Sequence, residues 1–156
     1  MTKPRAATPQ IDVRFTARKP WVPSALMLRR WAVRALAGRC ATPVTLSVHV
    51  VGAGASRTLN ARFRGKDNPT NVLSFAGPGM SPAGVNWLGE IVICASVIAQ
   101  ESRQQEKSRQ AHWAHITLHG VLHLLGFDHG SAREARKMEA IETQILESMG
   151  FSNPYR

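Results

Sequence analysis

Polar and apolar positions alternate or recur in blocks along this chain, and each block implies an element. Ile11-Asp-Val-Arg-Phe15 alternates, as a half-buried strand does. From Ser24 to Ala37 the apolar residues Met27, Leu28, Trp31, Ala32, Ala35 and Leu36 recur at helical spacing, with Gly38 as a stop. Val44 to Val51 is β-branched and alternating, a second strand in which His49 reads as structural. Ser56 is placed to cap a short helix carrying Leu59 and Phe63 and ended by Gly65. Lys66 to Pro69 is a turn by composition, and Thr70 to Phe75 a third strand. The Gly- and Pro-rich stretch Ala76 to Asn86 reads as a mobile loop, and Gly89 to Cys94 as a fourth strand.

Three helical patterns complete the chain. Ala95 to about Lys107 is polar in its second half. A histidine-rich helix runs from about Arg109 to Leu125. Ser131-Ala-Arg-Glu134 has the form of a capping box, and Met138, Ile141, Ile145 and Met149 give the final helix its buried stripe before Gly150. The expected fold is α/β (α+β), a single domain with one mixed, roughly four-stranded sheet packed with helices. Its expected bounds are residues 11–150, after a disordered basic N-terminus at 1–10 and before a tail at 151–156.

The histidine helix carries the chemistry. His119 and His123 are four apart, which puts both imidazoles on one helical face a single turn apart. Gly126 follows the last apolar residues, where an achiral residue takes the left-handed conformation that ends a helix and turns the chain back. His129 can then return toward the other two. Three imidazoles without a thiolate suit one zinc ion held by three protein ligands, with a fourth position for water. His112 and His115 lie on the same stripe, and periodicity alone does not say which of the four helical histidines are ligands. The Gly126 turn favours the pair nearest to it.

This spacing matches the zinc-protease pattern H-E-x-x-H-x-x-G-x-x-H except at Gly120, where the protease carries its general-base glutamate. A peptidase of that type needs the carboxylate to activate water and move its proton.

Composition narrows the setting. At 156 residues the chain is long enough to bury a core without disulfides, and its two cysteines, Cys40 and Cys94, read as reduced structural thiols of a cytosolic protein. The first ten residues lack an apolar signal region, and no stretch approaches the ~18 apolar residues of a membrane span. A cytoplasmic location is expected. Residues 1–40 hold nine Lys or Arg against one acid, Asp12, and so supply +8 of the net +10. Such a field favours a polyanion, with nucleic acid or the ribosome the obvious partner, although a solvated basic face explains it equally well. Arg30 and Arg34 are read as solvated.

Three separated stretches then stand together: Leu59-Asn60-x-x-Phe63-Arg64-Gly65-Lys66-Asp67-x-Pro69-Thr70-Asn71-Val72-Leu73-Ser74-Phe75, then Gly89-Glu90-Ile91, then His119 to His129. In this order, over about residues 44–150, the chain resembles the YbeY family of bacterial zinc-dependent endoribonucleases. The resemblance implies a single-domain metallohydrolase that cleaves single-stranded RNA, matures the 3′ end of small-subunit (16S) ribosomal RNA and takes part in ribosome quality control. It places the zinc ligands on His119, His123 and His129 and the functional arginine on Arg64. It also implies ribosomal protein uS11 and the Era GTPase as partners. Glu90 stands for a common aspartate and Phe127 for a common tyrosine, and the usual acidic run after Phe75 is missing, which leaves the rim of the site less negative.

The mechanism these residues suggest is zinc-activated water attack on a phosphodiester, with Arg64 stabilising the charge of the transition state. Asp128 either orients an imidazole or shapes the turn. Attack by a 2′-hydroxyl is the mechanistic alternative, and the proton acceptor is not identified. Two other classes compete: a zinc peptidase-like hydrolase, and a non-catalytic ribosome-assembly or RNA-binding protein whose zinc is closed by a fourth ligand such as His115, Cys94 or Cys40.

Overall fold

The computed structural model describes residues 8–40 and 42–156. Its elements in chain order are β1 (Gln10–Phe15), α1 (Ala25–Leu36), β2 (Val44–Val51), α2 (Ala53–Arg64), β3 (Val72–Met80), β4 (Asn86–Cys94), α3 (Ala95–Gln104), α4 (Arg109–Leu124) and α5 (Ala132–Ser148). The strands form one mixed sheet in the order β1-β2-β4-β3. β1, β2 and β4 are parallel, and β3 runs antiparallel along the edge of β4. The expected α+β fold with a four-stranded mixed sheet is the fold observed.

Alternation decides the two faces of the sheet. Leu46, Val48, Val50, Ile91 and Ile93 point to one side, where they meet Leu28, Trp31, Ala32 and Ala35 of α1 and Trp113, Leu118 and Val121 of α4. Val51, Leu73 and Val92 form a smaller cluster with Leu59 of α2 and Phe75. The main core therefore lies between the sheet and the α1–α4 pair, and α4 is buried along nearly its whole length. Such a central position requires that the polar residues of α4, its histidine stripe above all, find partners within the protein. α5 packs outside it and buries Met138, Ile145 and Leu146.

Four expectations need correction. Ser56 does not cap its helix: α2 begins at Ala53 after Gly52, and Ser56 is buried inside it, its hydroxyl donating to the Thr70 carbonyl at 3.1 Å and accepting from the Thr70 amide at 3.0 Å. The stretch 76–86 is not a free loop. β3 starts at Val72 and continues to Met80, and Asn86 already belongs to β4, so only 81–85 turn. α3 ends at Gln104 rather than near Lys107. Residues 1–7 of the expected disordered N-terminus lie outside the described residues, but Gln10 already pairs with Thr45.

The β3–β4 hairpin explains Gly89. Its φ is +147°, and a Cβ there would sit 2.2 Å from the Phe75 carbonyl oxygen and 2.8 Å from a methyl of Leu124. Backbone cannot retreat as a flexible side chain can. Gly89→Ala is expected to destabilise the domain by about 3 kcal/mol, strain and overlap adding, and denaturant unfolding measures it. A parental midpoint would mean that the hairpin rearranges freely.

Candidate metal centre

α4 starts cleanly because the Ser108 hydroxyl accepts the Ala111 amide at 3.1 Å. It ends as expected at Gly126, φ +99°, with the Phe127 amide donating back to the Leu122 carbonyl at 3.1 Å. The turn that follows is shaped by Asp128, whose Oδ1 accepts the His129 amide at 2.7 Å. Asp128 thus bonds the backbone of the turn, and its charge also acts on His123. His129 comes back over the helix, and its ring stacks on His119 with centroids 4.9 Å apart and lies 5.2 Å from His123.

One ligand atom from each of His119, His123 and His129 lies within 4.8 Å of the others. The Nε2 atoms of His119 and His123 are 3.1 Å apart. Two ligands at the usual Zn–N length of ~2.0–2.1 Å and a tetrahedral angle stand about 3.3 Å apart, so the donor set fits a zinc ion. Burial lowers the His123 pKa, and the charges of His119 and His129 lower it further. The lowered pKa favours the neutral form that a metal ligand needs, against the opposing charges of Asp128 and Glu142.

Of the other two helical histidines, His112 is engaged elsewhere, whereas His115 shares Glu142 with His119 and forms with them a second group able to hold a metal. His112 Nε2 donates to Glu101 at 2.9 Å, and Asn71 donates to the same carboxylate. Burial works to raise the Glu101 pKa, but these bonds and the nearby imidazoles outweigh it and hold it down. His115 Nε2 donates to Glu142 at 2.8 Å.

Glu142 was not anticipated from the sequence. It sits on α5 with no exposure at all, and its Oε1 accepts from His119 Nδ1 at 2.6 Å while Oε2 accepts from His115 and from the Tyr155 hydroxyl. Burial pushes its carboxyl up. The bonds from His115 and His119, the charge of His119 and the bond from Tyr155 together overcome that and bring it to about 2. An ionised carboxylate on Nδ1 fixes His119 with its Nε2 free, the tautomer a metal ligand needs. The readable signal was its place on the stripe: Glu142 is four residues after Met138 and three before Ile145, where an acid is out of keeping.

Arg64 lies at the free edge of β3. Its guanidinium donates to the Ser74 carbonyl at 3.1 Å and lies 5.6 Å from the centroid of Phe75. The Ser74 hydroxyl in turn donates to the Gly120 carbonyl at 2.9 Å, in the helical turn between His119 and His123. One residue of the edge strand thus ties Arg64 to the histidine helix. Cys40 and Cys94 are free thiols, and neither enters a potential metal-holding group among the described residues. No described helix is long and apolar enough to cross a membrane.

The fold is similar to the solution structure of TM1509 from Thermotoga maritima, with a TM-score of 0.59 over 90% of this chain and 92% of that one at 21% identity. The family model described as endoribonuclease YbeY matches residues 23–150, which takes in every strand but β1 and every side chain of the candidate centre but Tyr155. On that match the chain belongs to the YbeY endoribonuclease family.

Proposed function

We propose that the protein is a single-strand-specific, zinc-dependent endoribonuclease that acts at the 3′ end of 16S ribosomal RNA and in ribosome quality control. What supports the metal reading above all is the convergence of three imidazoles whose central member, His119, has its second nitrogen occupied by Glu142. His119, His123 and His129 would hold one zinc ion. Bound there, zinc supplies the Lewis acidity that lowers the pKa of water toward ~7.

The chain's own residues do the rest. Arg64, exposed and braced at the β3 edge by the Ser74 carbonyl, offers its remaining N–H groups to the phosphate and to the charge that grows on it in a phosphorane-like transition state. Gly120 supplies no carboxylate, and a non-bridging phosphate oxygen is one proton acceptor that the substrate itself brings. Water attack leaves a phosphate monoester, and a cyclic phosphate at the new end would instead reveal attack by the 2′-hydroxyl. A net charge of +10 suits an RNA substrate. The cytoplasm, ribosomal protein uS11 and the Era GTPase follow from the family resemblance as the expected setting and partners.

The test incubates the protein with single-stranded RNA, duplex RNA and casein. Cleavage of single-stranded RNA alone is expected, lost with chelator and restored by zinc. Arg64→Ala is expected to lower kcat by about 10²–10³, as loss of one donor to a developing oxyanion does. Casein cleavage, or an Arg64→Ala variant that cuts RNA at the parental rate, would overturn the assignment.

A further inference from the structure

The chain does not stop at α5. After Gly150 it returns toward α4, with the Phe151 amide donating to the Leu146 carbonyl at 2.9 Å and the Tyr155 amide to Asn153 Oδ1 at 2.8 Å. Lys107, in the turn before α4, donates to the Pro154 carbonyl at 2.8 Å. That clamp delivers Tyr155 to Glu142, where its hydroxyl donates to Oε2 and also lies 3.1 Å from His115 Nε2. The Tyr155 ring meets His115 edge to face at 5.4 Å.

We propose that Tyr155 is a positioning residue for His119, acting through Glu142, so that the C-terminal strap 151–156 sets the metal affinity of the site. The inference rests on His119 being a metal ligand.

The torsion that turns a carboxylate about its own axis is soft and two-fold, so one bonded oxygen does not fix its plane. Glu142 is fixed because both oxygens are held: Oε1 by His119, Oε2 by His115 and Tyr155. The Tyr155 hydroxyl is the one of these donors that comes from outside α4. It is also the one a few polar contacts deliver. Cavities of about 420 and 700 Å³ flank the strap, the first reaching His115 and Pro154, the second Thr143 and Asn153, and Tyr155 remains 45% exposed. Lifting the strap would therefore expose to water a carboxylate that is now fully buried, without opening the main core. Oε2 would then keep His115 alone beside exchangeable water, which loosens Glu142 and with it the anchor of the Nδ1–H tautomer of His119.

The test uses the full chain and the variants Tyr155→Phe, which keeps the ring, and Lys107→Ala, which removes the clamp. Zinc affinity is read by chelator competition, and the His119 tautomer in metal-free protein by long-range ¹H–¹⁵N NMR. Tyr155→Phe is expected to weaken zinc binding about tenfold, the low end for loss of an outer partner of a metal ligand. It is also expected to mix the His119 tautomers while leaving the metal-free unfolding midpoint near the parental one. Lys107→Ala should move both readouts in the same direction by less. A parent that binds zinc, with affinity and tautomer unchanged in both variants, overturns the inference alone. A parent that binds no zinc, but whose tautomer still shifts on Tyr155→Phe, overturns the ligand reading and supports the positioning one.

Discussion

Glu142→Ala is expected to cost the metal-free domain about 3–5 kcal/mol and to weaken zinc binding by about 10- to 100-fold in whatever protein still folds. The stability loss follows from what remains: the His119 N–H and the Tyr155 hydroxyl would lose their acceptor, and His115 would keep only the Tyr155 oxygen. Each such group left unpaired costs about 1–3 kcal/mol. Glu142→Gln separates charge from shape, because its amide fills the space but offers one acceptor oxygen where the carboxylate has two. The pH dependence has a definite sign. The folded-state pKa, about 2, lies below the ordinary 4.5, so ionised Glu142 stabilises the fold above pH 4.5 and that contribution is lost as pH falls toward 2. At 1.36 kcal/mol per unit it amounts to about 3 kcal/mol. Urea unfolding of metal-free parent and Glu142→Gln across pH 2–5 measures it. The two curves should converge at the acid end, and parallel curves would remove Glu142 from its role.

Much of this architecture could be read from the residues, and the misses share a cause. Alternation along Val44–Val51 and the stop at Gly126 are local effects, and both elements formed where they were expected. β3 was cut short because Gly77 and Gly79 look like loop residues. Gly77 is in fact where β3 presses against β4, since a Cβ there would lie 2.4 Å from the Trp87 carbonyl oxygen. Ser56 looked like a cap because its partner, Thr70, is fourteen residues away. For the candidate site, the spacing of His119, His123 and Gly126 carried the metal hypothesis. It could not choose among four histidines, because their partners, Glu101 for His112 and Glu142 for His115 and His119, stand on other helices. Tyr155 had no readable signal at all. It lies past the last periodic element, and only the return of the chain to Lys107 brings it to Glu142.

Gly120→Glu restores the protease pattern on paper, and the expected result is a strongly destabilised domain that cleaves no casein. A Cβ at this position would stand 3.0 Å from a methyl of Val72 and 3.1 Å from one of Ile91. The side chain would thus enter the packed layer between α4 and the sheet. Three contributions decide the sign. Losing a glycine from the helix interior favours the variant by about 1 kcal/mol. Forcing atoms into a packed core costs about 1–3 kcal/mol, so Gly120→Ala alone should be neutral to about 2 kcal/mol destabilising. A carboxylate beside Val72 and Ile91 then adds several kcal/mol of lost hydration, with no partner there to offset it. The sum, several kcal/mol, is a large share of the ~5–15 kcal/mol by which such a domain is stable. Denaturant unfolding of the metal-free alanine and glutamate variants, with a casein assay on the zinc-loaded glutamate variant, reads both parts. Zinc-dependent casein cleavage by a folded Gly120→Glu would show that the glycine is a missing base; its absence, with graded destabilisation from alanine to glutamate, shows that the sheet demands it.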